Sequence, residues 1–201
     1  MSSYYYLIAQ LPYLIYGQGA SISSEHFKEL CREQLGSKDL ALLDFCSLDP
    51  APEQGYARQA VPVSSDFINS WRNWERALRL HLAKFRAQNL KRDNGAPVAP
   101  PQDPLDAASV AKTAMTMDSP LEAEMYLDRA RWDAIDALEG LDIFGQNAIF
   151  TYLLKLYLIE RYSMFKEEDG FAEYKLLYAS IINQASGGEA ISTSNESGEP
   201  K

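Results

Sequence analysis

Few side chains of this sequence are of the types that most often bind metals or act as nucleophiles: His26, His81, Cys31 and Cys46. Neither histidine lies in a His-Glu-x-x-His or Glu-x-x-His pattern, the spacings that place zinc or di-iron ligands on one helical face. On a helix, Cys31 would point away from His26, five residues earlier. We interpret both cysteines as buried thiols and His81 as a packing residue. We therefore predict no catalytic, cofactor-binding or metal-binding site.

The sequence also lacks the common phosphate-binding and nucleophile motifs, which again predicts no catalytic site. The chain contains no Gly-x-x-x-x-Gly-Lys-Ser/Thr loop, no Gly-x-Gly-x-x-Gly and no Gly-x-Ser-x-Gly. Acidic residues do accumulate on a predicted helix after Ser119, and we expect them to scatter over its solvated surface rather than to converge as an acid/base pair. From this helix we select Asp133 and Asp136 as candidate partner contacts. The acidic residues are Glu122, Glu124, Asp128, Asp133, Asp136 and Glu139.

The strongest charge asymmetry lies on a helix predicted from Ser65 to Arg92. Seven basic residues and the single acid Glu75 give the stretch from Arg72 to Arg92 a charge of +6, so the rest of a chain of net charge -9 carries -15. The favoured interpretation is pairing of these cations within the chain, and the next is an acidic protein partner. Nucleic acid is the least favoured, because the remaining surface repels phosphate. The candidate partner contacts on this helix are Arg72, Arg76, Arg79 and Arg86.

Length and composition indicate an ordinary globular protein. The chain has 201 residues, of which 46% are hydrophobic and 23% charged, and its pI is about 4.8. A chain of this length buries enough surface to fold without a metal or a disulfide. We predict a single helical domain over residues 1–185, divided into two helical halves by the proline-rich loop 93–104, and a disordered tail over 186–201.

Apolar spacing predicts a mainly α fold, an irregular multi-helix bundle. The aromatic start, residues 4–11, fits either a short strand or a short helix. A capping box at Ser119, with a proline at the first helical position, marks the clearest helix start, and Gly140 marks its end. A helix over about 142–165 is apolar on most sides and is expected at the centre. A last helix, over about 169–185, is expected to turn inward Phe171, Tyr174, Leu177, Tyr178 and Ile181.

Membrane insertion and export are not indicated. The most apolar stretch, residues 143–159, is interrupted by polar residues and is shorter than the run of about 18 that a span needs. The amino end lacks the basic region of a signal peptide, and no small-residue cleavage site follows an apolar core. We expect a cytoplasmic protein with no direct membrane span.

Three motifs resemble those of an uncharacterised bacterial family encoded among the subunits of V/A-type (vacuolar-type) rotary ATPases. They are YYLIAxLP over residues 5–12, SxxHFKE over 23–29 and YLLKLxLIERY over 152–162. The resemblance implies an all-helical accessory protein, similar in role to the central-stalk socket subunit that seats the rotor axle on the membrane ring. It implies ATPase subunits as partners, a part in proton or sodium transport, and a peripheral position at the inner membrane. The resemblance implies no catalytic residues for this sequence.

A second hypothesis is a helical enzyme or small-molecule-binding protein with a tyrosine-rich pocket. Such a site requires polar groups that converge on a cavity. The residues considered for it are Lys155, Glu160 and Arg161. We favour the non-catalytic accessory role, acting through protein–protein contacts, and expect no enzymatic activity.

Overall fold

The computed structural model describes residues 4–49, 62–90, 105–141, 143–165 and 175–181. Within these ranges every regular element is a helix, and the predicted irregular multi-helix bundle is confirmed. The chain divides into two units, Met1–Ser163 and Met164–Lys201. The elements are α1 (Tyr5–Gln10), α2 (Ser24–Gln34), α3 (Ser37–Leu43), α4 (Asp66–Asn89), α5 (Ala107–Ala114), α6 (Pro120–Glu139), α7 (Gln146–Met164) and α8 (175–181).

The aromatic start of the chain is a helix and not a strand. Leu7 of α1 is buried, whereas its neighbours Tyr5 and Tyr6 are exposed. The helix ends at Leu11, whose extended backbone (φ −74°, ψ 134°) is the conformation that a following proline imposes.

Polar caps begin the longer helices where the sequence predicts them. The hydroxyl of Ser23 accepts a hydrogen bond from the backbone N–H of His26 at 3.1 Å, and that of Ser119 accepts one from Glu122 at 3.3 Å. Each bond satisfies an amide that the helix leaves unpaired, which stabilises the helix by roughly 1 kcal/mol. Gly140, with φ +81°, ends α6 in a conformation that glycine adopts without strain.

The core of the first unit contains buried side chains from every helix between α1 and α7. α4 buries one apolar stripe, and its Phe67 ring lies 6.2 Å from the ring of Phe150 on α7. α4 also packs against α5 and α6, and α5 against α6. α7 buries residues on most sides, as its composition predicts. Each large apolar side chain buried here contributes roughly 1.5–3 kcal/mol. The buried stripe of α4 comprises Phe67, Trp71, Trp74, Leu78 and Leu82.

The inward orientation predicted for the last helix is wrong for the residues that can be assessed. Leu177, Tyr178 and Ile181 of α8 are each more than half exposed. Helical spacing places apolar side chains on one face but does not supply a surface for that face to pack against. Phe171 and Tyr174 lie outside the described residues, as do the loop 93–104 and the tail 186–201. The predicted extent of one domain, 1–185, stays a prediction.

Among the described residues, no helix combines the length and the apolar character that crossing a membrane requires.

Candidate functional site

The four arginines predicted as partner contacts have different environments along α4. Arg79 is turned inward: its Nε donates to Glu75 at 2.7 Å, and its guanidinium also donates to the carbonyl of Leu48. Arg72 is half-buried, with its guanidinium 5.7 Å from the centre of the Phe45 ring. Arg76 is also half-buried, and Arg86 is exposed. Pairing within the chain therefore accounts for Arg79, while Arg86 remains a candidate for an outside partner.

The two acidic candidates lie on α6 and each has a basic neighbour. Asp133 pairs with Arg129 at 3.2 Å, and the side chains of both are more than half exposed. Asp136 pairs with Lys155 of α7, whose ammonium also lies 5.0 Å from the ring centre of Trp132. The side chains of Asp133 and Asp136 are 58% and 47% exposed, so both aspartates are accessible to a partner.

The densest polar cluster of the described residues is internal and joins α4, α6 and α7. We name it the buried ion network. Arg131 donates through Nε to Glu75 Oε2 at 3.1 Å and through a terminal nitrogen to Asp128 Oδ1 at 2.8 Å. Arg161 donates to Asp128 Oδ2 at 3.1 Å and to Glu124 Oε2 at 2.7 Å. Its members are Glu75, Arg79, Glu124, Asp128, Arg131 and Arg161.

Burial and pairing act against each other on the pKa values of this network. Burial raises the pKa of Glu75, but Arg131 and Arg79 outweigh it and hold that pKa below its ordinary value. At Asp128, which is fully buried, the effect of burial outweighs Arg131 and Arg161, and the pKa is raised. For Arg131, burial lowers the pKa but the attraction of Glu75 and Asp128 is larger, so its pKa is raised.

The expectation that the α6 acids scatter over a solvated surface is wrong for Asp128. It is buried because α6 turns the face of Asp128, Arg131 and Ile135 toward the core. Glu124 is half-buried and paired with Arg161. The sequence held a signal for this arrangement, since Asp128 and Arg131 are three residues apart and so neighbours on a helix.

The network joins three helices through ion pairs. Its three carboxylates are matched by three arginines, and arginine keeps its proton at any pH that the fold experiences. Five of the six carboxylate oxygens accept bonds from a guanidinium. These bonds use most of the hydrogen-bonding capacity of the three carboxylates within the network itself. The geometry requires three helices to keep one register.

The three residues of the tyrosine-rich pocket hypothesis are engaged in three separate contacts. Lys155 pairs with Asp136, and Arg161 belongs to the buried ion network. Glu160 accepts hydrogen bonds from the backbone N–H and the hydroxyl of Ser24, at 2.6 and 2.8 Å, at the start of α2. These side chains do not converge on one cavity.

The cysteines and histidines lie apart from one another in packing or surface positions. Both cysteines are buried, as predicted, and burial raises the pKa of Cys31 to about 12. Their thiols therefore stay protonated and unreactive at neutral pH. His81 stacks on Phe85 as a packing residue, and His26 lies 3.5 Å from Glu29 on the exposed side of α2. The described residues contain no group of three potential metal ligands.

An apolar surface lies where α1 meets the loop between α6 and α7. We name it the N-terminal apolar surface and define it by Tyr5, Tyr6, Leu141 and Ile143, which are between 58% and 100% exposed. The Tyr5 ring packs 4.7 Å from that of Phe144. The sequence does not predict this surface, since residues 4–11 are compatible with a buried element and Ile143 lies in a helix expected at the centre of the fold.

Polar contacts hold this surface in place. The backbone N–H of Tyr4 donates to the carbonyl of Phe144 at 2.9 Å, and the Tyr4 hydroxyl donates to Asp39 of α3. Gln146 donates to the other oxygen of Asp39 at 2.6 Å. The exposed aromatic side chains therefore stand on a fixed support, which lowers the entropy lost when a partner binds.

Comparison of the chain with known protein families, curated proteins and solved structures finds no match.

Proposed function

We propose that this protein is a non-catalytic adaptor that acts through protein–protein contacts, and that its partners are subunits of a bacterial V/A-type ATPase. The observation that supports an adaptor role is the N-terminal apolar surface. Large apolar side chains that lie exposed on two adjoining segments of a folded domain indicate an interaction site. Tyrosine in particular provides a large apolar contact area with a hydroxyl that stays hydrogen-bonded to water in the free protein.

The identity of the partner rests on the three motifs that resemble the ATPase-associated family. All three motifs contribute to the parts described above, the second through Ser24, which donates to Glu160. The first, over residues 5–12, contains α1 with Tyr5 and Tyr6, and the third, over 152–162, contains Glu160 and Arg161 of α7. In this proposal the first motif provides contact side chains, while the third keeps α7 fixed against α2 and α6. The protein would then lie at the inner membrane through the complex and not through a span of its own.

Co-purification tests the proposal directly. A tagged chain is isolated with the ATPase in mild detergent, together with the variants Leu141→Asp and Leu90→Asp. Both leucines are largely exposed, at 100% and 62%, but only Leu141 belongs to the N-terminal apolar surface. We expect ATPase subunits with the native chain and the Leu90 variant, and a loss of at least about tenfold with the Leu141 variant, equivalent to about 1.4 kcal/mol.

Other outcomes are equally informative. If no ATPase subunit accompanies the native chain, the assignment of the partner is wrong. If the Leu141 variant retains the subunits, the contact lies elsewhere. Arg86→Glu then tests the remaining exposed cation among the predicted contacts.

A further inference from the structure

A cleft lies between α4, α5 and α6, apart from the N-terminal apolar surface. Its volume is about 280 Å³. At a share of about 30 Å³ for each liquid water, this is room for roughly nine water-sized groups. The residues that line it are Trp74, Leu105, Val110, Tyr126, Arg129, Ala130, Asp133 and Ala134.

The walls of the cleft are mainly apolar, with two charges of opposite sign. Trp74 provides an aromatic surface from α4, while Val110 of α5 and Ala134 of α6 are aliphatic. Arg129 and Asp133, one helical turn apart on α6, are the charged lining residues. An apolar cavity with a few placed polar groups is the usual composition of a small-molecule site.

We propose that this cleft binds a free α-amino acid with a large apolar side chain. The carboxylate pairs with Arg129, the ammonium pairs with Asp133, and the side chain enters the cleft beside Trp74. The match is one of charge and spacing. Arg129 Nε and Asp133 Oδ1 are 3.2 Å apart, and the two charged groups of an α-amino acid are separated by a single carbon atom.

The existing pair between Arg129 and Asp133 does not prevent this binding. Their side chains are 55% and 58% exposed, and an exposed pair at this helical spacing stabilises a helix by only about 0.3–0.5 kcal/mol. Exchanging that contact for two contacts with a ligand therefore costs little. On the buried face of α6, Asp128 and Arg131 are paired with each other in the buried ion network and cannot exchange that contact for a ligand as readily.

Arg129 is also held in position before a ligand arrives. Its guanidinium lies 5.3 Å from the centre of the Tyr16 ring. Tyr16 is itself fixed, because its hydroxyl donates to the carbonyl of Met125 at 2.9 Å and its ring packs against Trp132. A guanidinium stacked on a fixed ring loses less side-chain entropy on binding a carboxylate.

Calorimetric titration of the full chain tests the proposal, with L-leucine and L-phenylalanine as probes. We expect saturable binding with a Kd below about 1 mM for both. L-alanine has only a methyl group in place of the large apolar side chain. Phenethylamine lacks the carboxylate, and 3-phenylpropionate lacks the ammonium. Each of the three should bind at least about tenfold more weakly. Absence of saturable binding by leucine and phenylalanine overturns the proposal.

N-acetyl-L-leucine amide separates a free amino acid from a leucine within a partner protein, because it keeps the side chain but has neither charge. Binding as tight as that of L-leucine would show that the cleft accepts an apolar side chain of a protein, and would overturn the proposal. Weaker binding supports it.

Three variants complete the test. Arg129→Gln should weaken the binding of L-leucine at least about tenfold, and Ala130→Leu, which fills the cleft, should abolish it. Arg32→Gln changes an exposed arginine of α2 that does not line the cleft and should leave the affinity unchanged. Equal affinity in all three overturns the proposal, and circular dichroism confirms that each variant is folded. None of these residues belongs to the N-terminal apolar surface, so the outcome is independent of whether the ATPase subunits co-purify.

Discussion

The buried ion network and the N-terminal apolar surface place polar and apolar side chains in opposite ways. Between α4, α6 and α7, ionised groups such as Glu75 and Arg131 lie almost wholly inside the protein. At the other region, Tyr6 and Leu141 lie almost wholly in solvent. Charges are tolerated inside because acids and arginines are equal in number and bonded to one another. Apolar side chains that are exposed to water contribute no burial free energy. They contribute it only when another surface covers them.

The two regions also differ in what polar contacts do. In the network they join three helices within the core. Beside the apolar surface, the contacts of Asp39 with Tyr4 and Gln146 fix α1 against the start of α7, and so present Tyr5 to the solvent. Polar contacts therefore set the geometry in both places, and we expect those of the network to contribute more to the stability of the fold because they are more deeply buried.

The largest effect that would test this contrast is expected from Arg131→Met. The substitution leaves Glu75 and Asp128 buried without their main partner, which destabilises a protein by about 3–5 kcal/mol. Urea denaturation measures the change in the free energy of unfolding. Arg129→Met, on the same helix but in an exposed pair, is the matched control and should cost less than about 1 kcal/mol. Similar losses for both variants would contradict a special role for the network.

An intermediate effect is expected from pH, through Glu75. Because its pKa is held below the ordinary value of 4.5, its ionised form stabilises the fold above that pH, and this contribution is lost as the pH falls through the lower folded-state value. The free energy of unfolding, followed by urea denaturation between about pH 6 and 3, should therefore fall less steeply in Glu75→Gln than in the native protein, by up to about 1.4 kcal/mol per pH unit.

Asp128 provides the opposite control. Its raised pKa favours the protonated form in the folded state, a contribution that is present at low pH and lost as the pH rises through the folded-state value. Asp128→Asn removes it, so stability should fall more steeply with acid than in the native protein. Identical acid profiles for the native protein and both variants would show that the network carries no net dependence on pH.

The smallest effect is expected at the apolar surface. Leu141→Asp should change the free energy of unfolding by less than about 0.5 kcal/mol, because the side chain is fully exposed and contributes no burial. The melting temperature by circular dichroism is the measurement. A loss of several degrees would mean that the leucine supports the fold, and the contrast between the two regions would be weaker than described.

The sequence predicts local structure well because its signals are local. Ser119 and Gly140 mark the ends of α6, and the apolar spacing from Phe67 to Leu82 identifies the buried face of α4. Both features depend on residues within a few turns of one another. The capping and the periodicity therefore predict the helices but not the way in which they pack.

The buried ion network depends on pairing between residues far apart in the chain, which the sequence pattern does not predict. Asp128 reads as a surface acid until Arg161, 33 residues later, is placed beside it. Leu177 and Ile181 read as core residues because their spacing is helical, yet burial requires a second surface that spacing does not specify. The candidate partner contacts on α4 show the same limit. Arg79 has its acceptors inside the protein and Arg86 is exposed, but the sequence of the helix does not distinguish the two arginines.

The bond from Ser24 to Glu160 has a consequence for the order of folding. The first amide of α2 is satisfied by a carboxylate 136 residues later in the chain. Contacts of such separation form slowly, since the entropy of closing the intervening loop is lost before they contribute. We therefore expect the start of α2 to be completed late in folding, after α7 has formed and docked.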